Sequence, residues 1–233
     1  MTLDIIIPTF NEYENLRILI PYLQNLIDKS RTRIIVVDAP CSDDDSASLL
    51  KEFNTEYHKT TKTCRASQLN QGAELGQGEV LLFLHADVRP PKDFVEQIKE
   101  GLRKYHYGIF CYKFSPSSAL LGINARATKK KSFLSGGGDQ SLFITRPRFI
   151  ESEGYNEEQV IMEDFELFDR LQKGGDYALI QSPATVSSRK YLENSWLRVN
   201  IVNLMAFSLY RIGVSASKIQ RFCQRWLRKE ETC

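Results

Sequence analysis

Short apolar runs and helical stripes take turns along the first hundred positions, and their order predicts an α/β fold. Leu3 to Ile7 is an apolar, β-branched strand closed by Pro8. From Glu14 to Lys29 the residues Leu16, Leu19, Ile20, Leu23, Leu26 and Ile27 recur at helical spacing, with Asn11 placed as the cap. Arg33 to Val37 is a second strand ending on Asp38. Asp43 to Glu52 follows as a short helix whose opening acids suit the positive end of its dipole. A short strand at Glu56 to Lys59, a helix at Arg65 to Leu75 and a buried strand at Val80 to Leu84 complete the series. Such alternation implies βαβ crossovers, hence a mostly parallel central sheet with helices on both faces.

Beyond residue 90 the pattern loosens. Phe94 to Leu102 predicts an amphipathic helix, Gly108 to Phe114 a strand, and Ala119 to Lys131 a helix. Ser132 to Gln140 reads as a loop, Ser141 to Thr145 as a strand stopped by Arg146 and Pro147, Glu163 to Gln172 as a helix and Tyr177 to Ile180 as a strand. From Leu192 onward a helical extension is expected. Its apolar stretch from Val199 to Val214 is interrupted by Asn200, Asn203, Ser208 and Arg211, so it is too broken to span a bilayer. Lys218, Arg221, Arg225, Arg228 and Lys229 follow. A basic amphipathic end of this kind can lie on an anionic membrane, pack on its own domain, or pack on a second subunit as a homodimer.

The strand ends carry the candidate chemistry. Thr9 and Asn11, then Asp38, then His85 and Asp87 stand just past the carboxyl ends of three strands, where ligands bind in open α/β sheets. Pro90 and Pro91 stop the third run abruptly, so "LLFLHAD" delivers a histidine and a carboxylate to a fixed place. Arg65 and Gln68 lie one turn apart on their helix and share a face. Composition changes this picture little. A chain of 233 residues with 42% hydrophobic and 26% charged residues is ordinary for a globular protein, and a net charge of +2 argues against a nucleic-acid binder. Five scattered cysteines without a CxxC pair suggest reduced thiols, and the first residues lack a signal-peptide pattern. A cytoplasmic protein, able to touch a membrane at its periphery, is expected.

The stretches "IIIPTFNE", "VVDAPCSD", "CRASQLNQGAELGQGEVLLFLHAD" and "MEDFELFDRL" together resemble the family 2 glycosyltransferases of the GT-A fold, a Rossmann-like α/β architecture. The arginine-alanine-x-glutamine-x-asparagine stretch, LHAD, glycine-aspartate-glutamine and "LYRIGVS" are similar to a small bacterial subgroup associated with radical-SAM or selenium-related genes. The resemblance implies one domain over 1–233: a nucleotide-binding half (1–100), an acceptor half (101–191) and C-terminal helices (192–233). It further implies an inverting, metal-dependent transfer from a nucleotide-diphosphate sugar to an acceptor that the sequence does not name. Pro8, Thr9, Asn11 and Glu12 would form the loop beneath the nucleotide, Asp38 would reach base or ribose, and Arg65 and Gln68 would hold base or pyrophosphate. Asp87 would be the last aspartate of the DxD motif binding Mn²⁺ or Mg²⁺, with His85 standing where the first aspartate usually stands. Asp164 of "MEDFELF" would be the catalytic base, and Asp139 would contact donor sugar or acceptor. Ala39, Pro40 and Cys41 replace the glycine and serine common after the second strand, and the processive glutamine-x-x-arginine-tryptophan motif is absent, Arg189 and Lys190 standing in its place. Two other readings remain. A nucleotidyltransferase would carry a glycine-rich basic loop that "PTFNEYEN" lacks, and an inactive nucleotide-binding scaffold would not need Asp38, Asp87 and Asp164 together.

Overall fold

The computed structural model describes residues 1–227, so Arg228, Lys229 and Cys233 lie outside the described residues. Eight strands form one sheet: β1 (Leu3–Thr9), β2 (Thr32–Asp38), β3 (Glu56–Lys59), β4 (Val80–Phe83), β5 (Val88–Arg89), β6 (Tyr107–Ser115), β7 (Phe143–Thr145) and β8 (Ala178–Ser187). Their order across the sheet is β3-β2-β1-β4-β7-β6-β8-β5. The β1–β2, β1–β4, β2–β3 and β6–β8 pairs are parallel, and β7 and β5 are the antiparallel insertions. Helices α1 (Tyr13–Gln24), α2 (Ser46–Glu52), α3 (Arg65–Leu75), α4 (Phe94–Gly101), α5 (Ala119–Ala127), α6 (Arg146–Glu151), α7 (Glu163–Lys173), α8 (Arg189–Glu193), α9 (Trp196–Arg211) and α10 (Ala216–Trp226) complete the chain.

The apolar run of β1 follows from its place at the centre of the parallel region. Leu3, Ile5 and Ile7 pack with Leu16, Leu19 and Leu50 on one face, while Ile6 packs with Ala66, Leu69 and Ala73 of α3 on the other. With side chains alternating faces and both faces covered, no position in the strand can be polar without a partner. Gly72 lets α3 lie close, because a Cβ there would meet Cγ2 of Ile6 at 2.4 Å.

Several boundaries depart from the sequence expectation, each for a physical reason. Pro8 does not close β1: the strand runs on to Thr9, with Pro8 opposite Val37 of β2. The Ile6 carbonyl accepts from Leu84 N, so the alternate position Pro8 also faces β4, and β4 ends at Phe83. The missing N–H of Pro8 therefore falls where no ladder partner exists. Asn11 does not cap α1, whose N-cap is Glu12 without a side-chain hydrogen bond. Pro147 does not merely stop β7. It opens α6, a position that suits its fixed φ and missing donor. β8 continues to Ser187 because residues 181–183 bulge against Cys111, which carries Pro183 past the ladder. α1 ends at Gln24 and α5 at Ala127, both short of the expected limits.

The C-terminal helices pair with each other. Val199, Val202 and Ala206 of α9 pack with Ile219 and Cys223 of α10, and this cluster touches Ile161 and Met162. Asn124 Nδ2 donates to Asn200 Oδ1 at 2.8 Å and Tyr210 OH to Asp169 Oδ2 at 2.9 Å, fastening α9 to α5 and α7. Among the described residues no helix is long and apolar enough to cross a membrane. Cys64 and Cys111 are free thiols.

Candidate active site

The ends of β1 and β2 form a closed network. Thr9 Oγ1 donates to Asp38 Oδ1 at 2.9 Å, and Tyr57 OH donates to Asp38 Oδ2 at 3.0 Å. The carboxylate that has no partner in sequence thus has two in space. Gln68 Nε2 donates to the carbonyls of Thr9 (2.7 Å) and Val37 (2.8 Å), bracing the two strand ends. Both of its amide hydrogens are thereby committed to the backbone at the strand ends. Asn11 sits at φ 53°, where its Oδ1 accepts from Ser42 Oγ and Asp43 N and locks the first loop to the loop after β2. Asparagine tolerates this left-handed backbone better than most residues. Glu12 accepts from Asn15 Nδ2 and from Arg189 Nη2. Together with Asn11, Tyr13 and Asp44, these residues line an open groove of about 470 Å³.

A second group gathers where β4 leaves the sheet. Leu84 N still bonds Ile6 O; Val88 N then closes a turn onto His85 O, and Ser187 N donates to the Asp87 carbonyl. The segment His85-Ala86-Asp87 therefore bridges β4, near the middle of the sheet, and β5 at its far edge. Ala86 packs into the core, while His85 lies against Gly138 and Asp164, and Asp87 interacts electrostatically with Asp139, Arg189 and Arg65.

The opposite wall comes from the loop before β7 and the start of α7. Residues Gly138–Gln140 form a 3₁₀ turn, held by a hydrogen bond from Gly136 N to Gln140 Oε1. A Cβ on Gly138 would lie 2.2 Å from His85 Cε1 and 2.5 Å from Asp164 Oδ2, so this glycine is the gap through which the two walls meet. Met162, at φ 64°, turns the chain into α7. Glu163 is buried and accepts from Arg65 Nη1 at 3.2 Å. Asp164 does not cap the helix; its Oδ1 accepts from Tyr155 OH at 3.4 Å and its Oδ2 lies 3.9 Å from His85 Nε2, too far for a hydrogen bond.

These groups act on one another electrostatically. Burial lifts the Asp164 carboxyl to about 8, neighbouring Glu163 pushes the same way, and Arg65 draws it back. Burial, helped by Arg65, pushes His85 down to about 3, so the imidazole is neutral at physiological pH and its contact with Asp164 is no ion pair. Burial also raises Asp87, with Asp139 adding to it and Arg189 and Arg65 opposing. Asp139 is raised by burial and lowered by Lys190 and Arg65. Arg65, Asp87, Asp139, Asp164 and His85 therefore act on one another as one group, while Pro8, Thr9, Asp38 and Gln68 lie at the carboxyl ends of β1 and β2 and on α3 beside them.

Sequence reasoning missed Tyr155 and Gly138. Tyr155 is buried against Phe83 and lies in no motif; Gly138 belongs to the glycine-aspartate-glutamine stretch, but nothing in the spacing marked its place between His85 and Asp164. Among the described residues no three His, Cys, Asp or Glu side chains converge into a self-sufficient metal cage. A hard cation that keeps several waters and takes phosphate oxygens needs only one or two protein ligands, and a carboxylate with a neutral imidazole two residues away is a donor set that fits.

A curled, mostly parallel sheet flanked by helices, with carboxylates gathered beyond its strand ends, defines the GT-A class. The chain belongs to Glycosyl transferase family 2, whose pattern it matches over residues 4–170. Its structure resembles that of the mannosyltransferase PcManGT from Pyrobaculum calidifontis, solved with GDP-Man and Mn²⁺ (TM-score 0.66, 16% identity, 88% of this chain and 61% of that one). It is also similar to S. aureus TarS 1–349 in complex with UDP-GlcNAc (TM-score 0.62, 14% identity, 97% and 71%). In sequence it is 27% identical over 108 residues to a dolichol-phosphate mannosyltransferase of Pyrococcus furiosus, which covers 44% of this chain and 30% of that protein. The chain also spans only 43% of the longer S. aureus TarS structure.

Proposed function

We propose that the protein transfers a sugar, with inversion, from a nucleotide-diphosphate donor to an acceptor hydroxyl, assisted by Mn²⁺ or Mg²⁺. The observation that carries this reading is that Asp164, Asp87, Asp139 and Arg65, brought from four separate segments, act on one another electrostatically, with His85 and Asp164 meeting at Gly138. Asp164 takes the acceptor proton as the oxygen attacks the anomeric carbon, and the nucleoside diphosphate departs on the opposite face with the bonding electrons. A base works best when its proton affinity lies near the operating pH, and the raised Asp164 carboxyl meets that condition. Asp87, with His85 beside it, would hold the cation, which would supply charge neutralisation for the diphosphate leaving group. Arg65 and Arg189 add fixed positive charge there, and Asp139 orients the donor sugar. Pro8, Thr9, Asn11, Glu12 and Asp38 support the nucleotide, Gln68 serving them from behind. Neighbours solved with GDP-Man and UDP-GlcNAc support a nucleotide-sugar donor. Placement in the radical-SAM or selenium-associated subgroup rests on the sequence motifs alone.

A nucleotidyltransferase is disfavoured because the turn after β1, Asn11 to Glu12, brings neither glycines nor cations to the phosphate position. Calorimetry tests the reading. GDP and UDP, titrated with Mn²⁺ and then with EDTA, should bind at least ~10-fold more tightly with the ion, as expected when the ion bridges protein and diphosphate. Asp87→Ala should erase that difference. Equal affinities for wild type and Asp87→Ala in Mn²⁺ would remove the metal assignment.

A further inference from the structure

Helix α9 has two apolar faces, and only one is covered. Val199, Val202 and Ala206 are buried against α10 and the α7 entry. Leu197, Ile201, Leu204, Met205 and Ile212 are instead between 47% and 75% exposed. At 3.6 residues per turn these five fall within an arc of about 100°, on the side away from the buried three. Leu120 and Ile123 of the neighbouring α5 are also exposed. Their helix is held against α9 by the Asn124–Asn200 bond and by Trp196 Nε1 donating to Asn124 Oδ1 at 3.2 Å. A contiguous apolar surface of this extent on a folded protein marks an interaction site.

The charges beside it say what covers it. Residues 117–134 contain Arg126, Lys129, Lys130 and Lys131 and no acid; residues 194–226 contain Arg198, Arg211, Lys218, Arg221 and Arg225 and no acid. Nine cations and no carboxylate fall in these two segments of a chain whose net charge is only +2. Arg211 and Lys131 pair with Asp169 and Asp176, and the other seven make no ion pair among the described residues. A two-fold contact between copies would set two such cationic rims against each other. A surface that is apolar inside and anionic at its boundary satisfies both features at once.

We propose that the exposed face of α9, together with α5, docks the protein on an anionic lipid surface. The stripe enters the headgroup boundary and the lysines and arginines rest over lipid phosphates. The covered face of the same helix packs on the other side: Phe207 meets Phe165, next in sequence to Asp164, with ring centroids 5.2 Å apart. The docked face thus lies one helix from the candidate base, and the docking itself does not depend on the proposed chemistry.

Flotation of the full chain with phosphatidylcholine–phosphatidylglycerol vesicles, against phosphatidylcholine alone, tests the proposal. The protein should bind the anionic vesicles at least ~10-fold more strongly, and added salt should weaken the binding. The pair Ile201→Asp with Leu204→Asp should lose at least ~10-fold of it. Because both side chains are exposed, the pair should leave thermal unfolding unchanged. Lys129→Glu with Lys130→Glu, a second variant outside α9, should weaken binding without any change in the apolar stripe. Vesicle binding by the Ile201/Leu204 variant equal to wild type would overturn the proposal. So would a wild-type dimer that ignores vesicles and becomes a monomer on the same substitutions, which would assign the stripe to a second copy.

Discussion

The rim formed by β1 and β2 and the cleft beyond β4 are both built from polar residues past strand ends, yet they are satisfied in opposite ways. At the rim every group answers another: Thr9 and Tyr57 bond Asp38, Gln68 bonds two carbonyls, and Asn11 bonds the next loop. In the cleft, carboxyls crowd other carboxyls, and burial raises Asp164, Asp87 and Asp139 above the ordinary carboxylate range. Buried polar groups that find partners hold a fold together. Groups held in an uncomfortable protonation state mark where a ligand or a proton is handled. The two regions therefore divide the labour of one site, shape on one side and chemistry on the other.

The sharpest break of that comparison is Asp164→Asn. Loss of a general base costs about 10² to 10⁴ in rate. Asparagine keeps the shape and removes a carboxyl that burial penalises, so thermal stability at pH 7 should not fall. For wild type, kcat/KM should climb as pH rises toward about 8, where the free-enzyme carboxyl loses its proton, and then level off. Once a donor and acceptor are in hand, near-normal single-turnover transfer by the asparagine variant would move the base to Asp139 or Glu163.

A smaller effect is expected at the rim, and on a different observable. Gln68→Ala strips both donors from the carbonyls of Thr9 and Val37 and leaves a void. Leaving buried acceptors unpaired costs about 1–3 kcal/mol each at most. Denaturant unfolding should show a loss in that range, while the affinity for nucleoside diphosphate changes by a few-fold or less. If Gln68→Ala unfolds at the wild-type midpoint but loses the nucleotide, the rim belongs with the chemistry and the division above is wrong.

The sequence made the same distinction only in part. The parallel half was legible because its signals are local: period-2 apolar runs, helical stripes and the breakers between them. The regions that escaped are governed by tertiary partners. Pro8 looked like a strand stop because the early end of β4 is invisible from β1. Pro147 looked like a breaker because its place at the first turn of α6 depends on Arg146, whose guanidinium reaches back to the buried Asp4. Asp38 looked unpartnered because Thr9 and Tyr57 lie 29 and 19 residues away. The motif residues of the cleft were named from resemblance, but the meeting of His85 with Gly138 and Asp164, 53 and 79 residues further along the chain, is a relation that spacing does not carry. The two faces of α9 could be counted from the sequence, yet which of them is covered is decided by α10 and α7.

The smallest effect separates the two regions by pH alone. Burial raises the Tyr57 phenol to about 12, and the hydrogen bond it donates to Asp38 adds to the rise. An acid whose folded value lies above its unfolded value near 10 favours folding while it keeps its proton. That contribution is whole below about pH 10 and is lost as pH climbs toward about 12, where the folded phenol ionises. Tyr57→Phe removes the hydroxyl, so it should lower stability at neutral pH by about 1–2 kcal/mol, the worth of one hydrogen bond to a carboxylate. The gap between wild type and Tyr57→Phe should then narrow through the alkaline range, because wild type loses what the variant never had. Tyr107 is raised to about 12 as well, but it lies elsewhere in the core and is common to both proteins, so it cancels in the difference. Turnover at neutral pH should stay within a few-fold of wild type. Should Tyr57→Phe instead keep full stability and lose transfer, Asp38 would need its second donor for the ligand, and the rim would have to be counted as part of the reacting site.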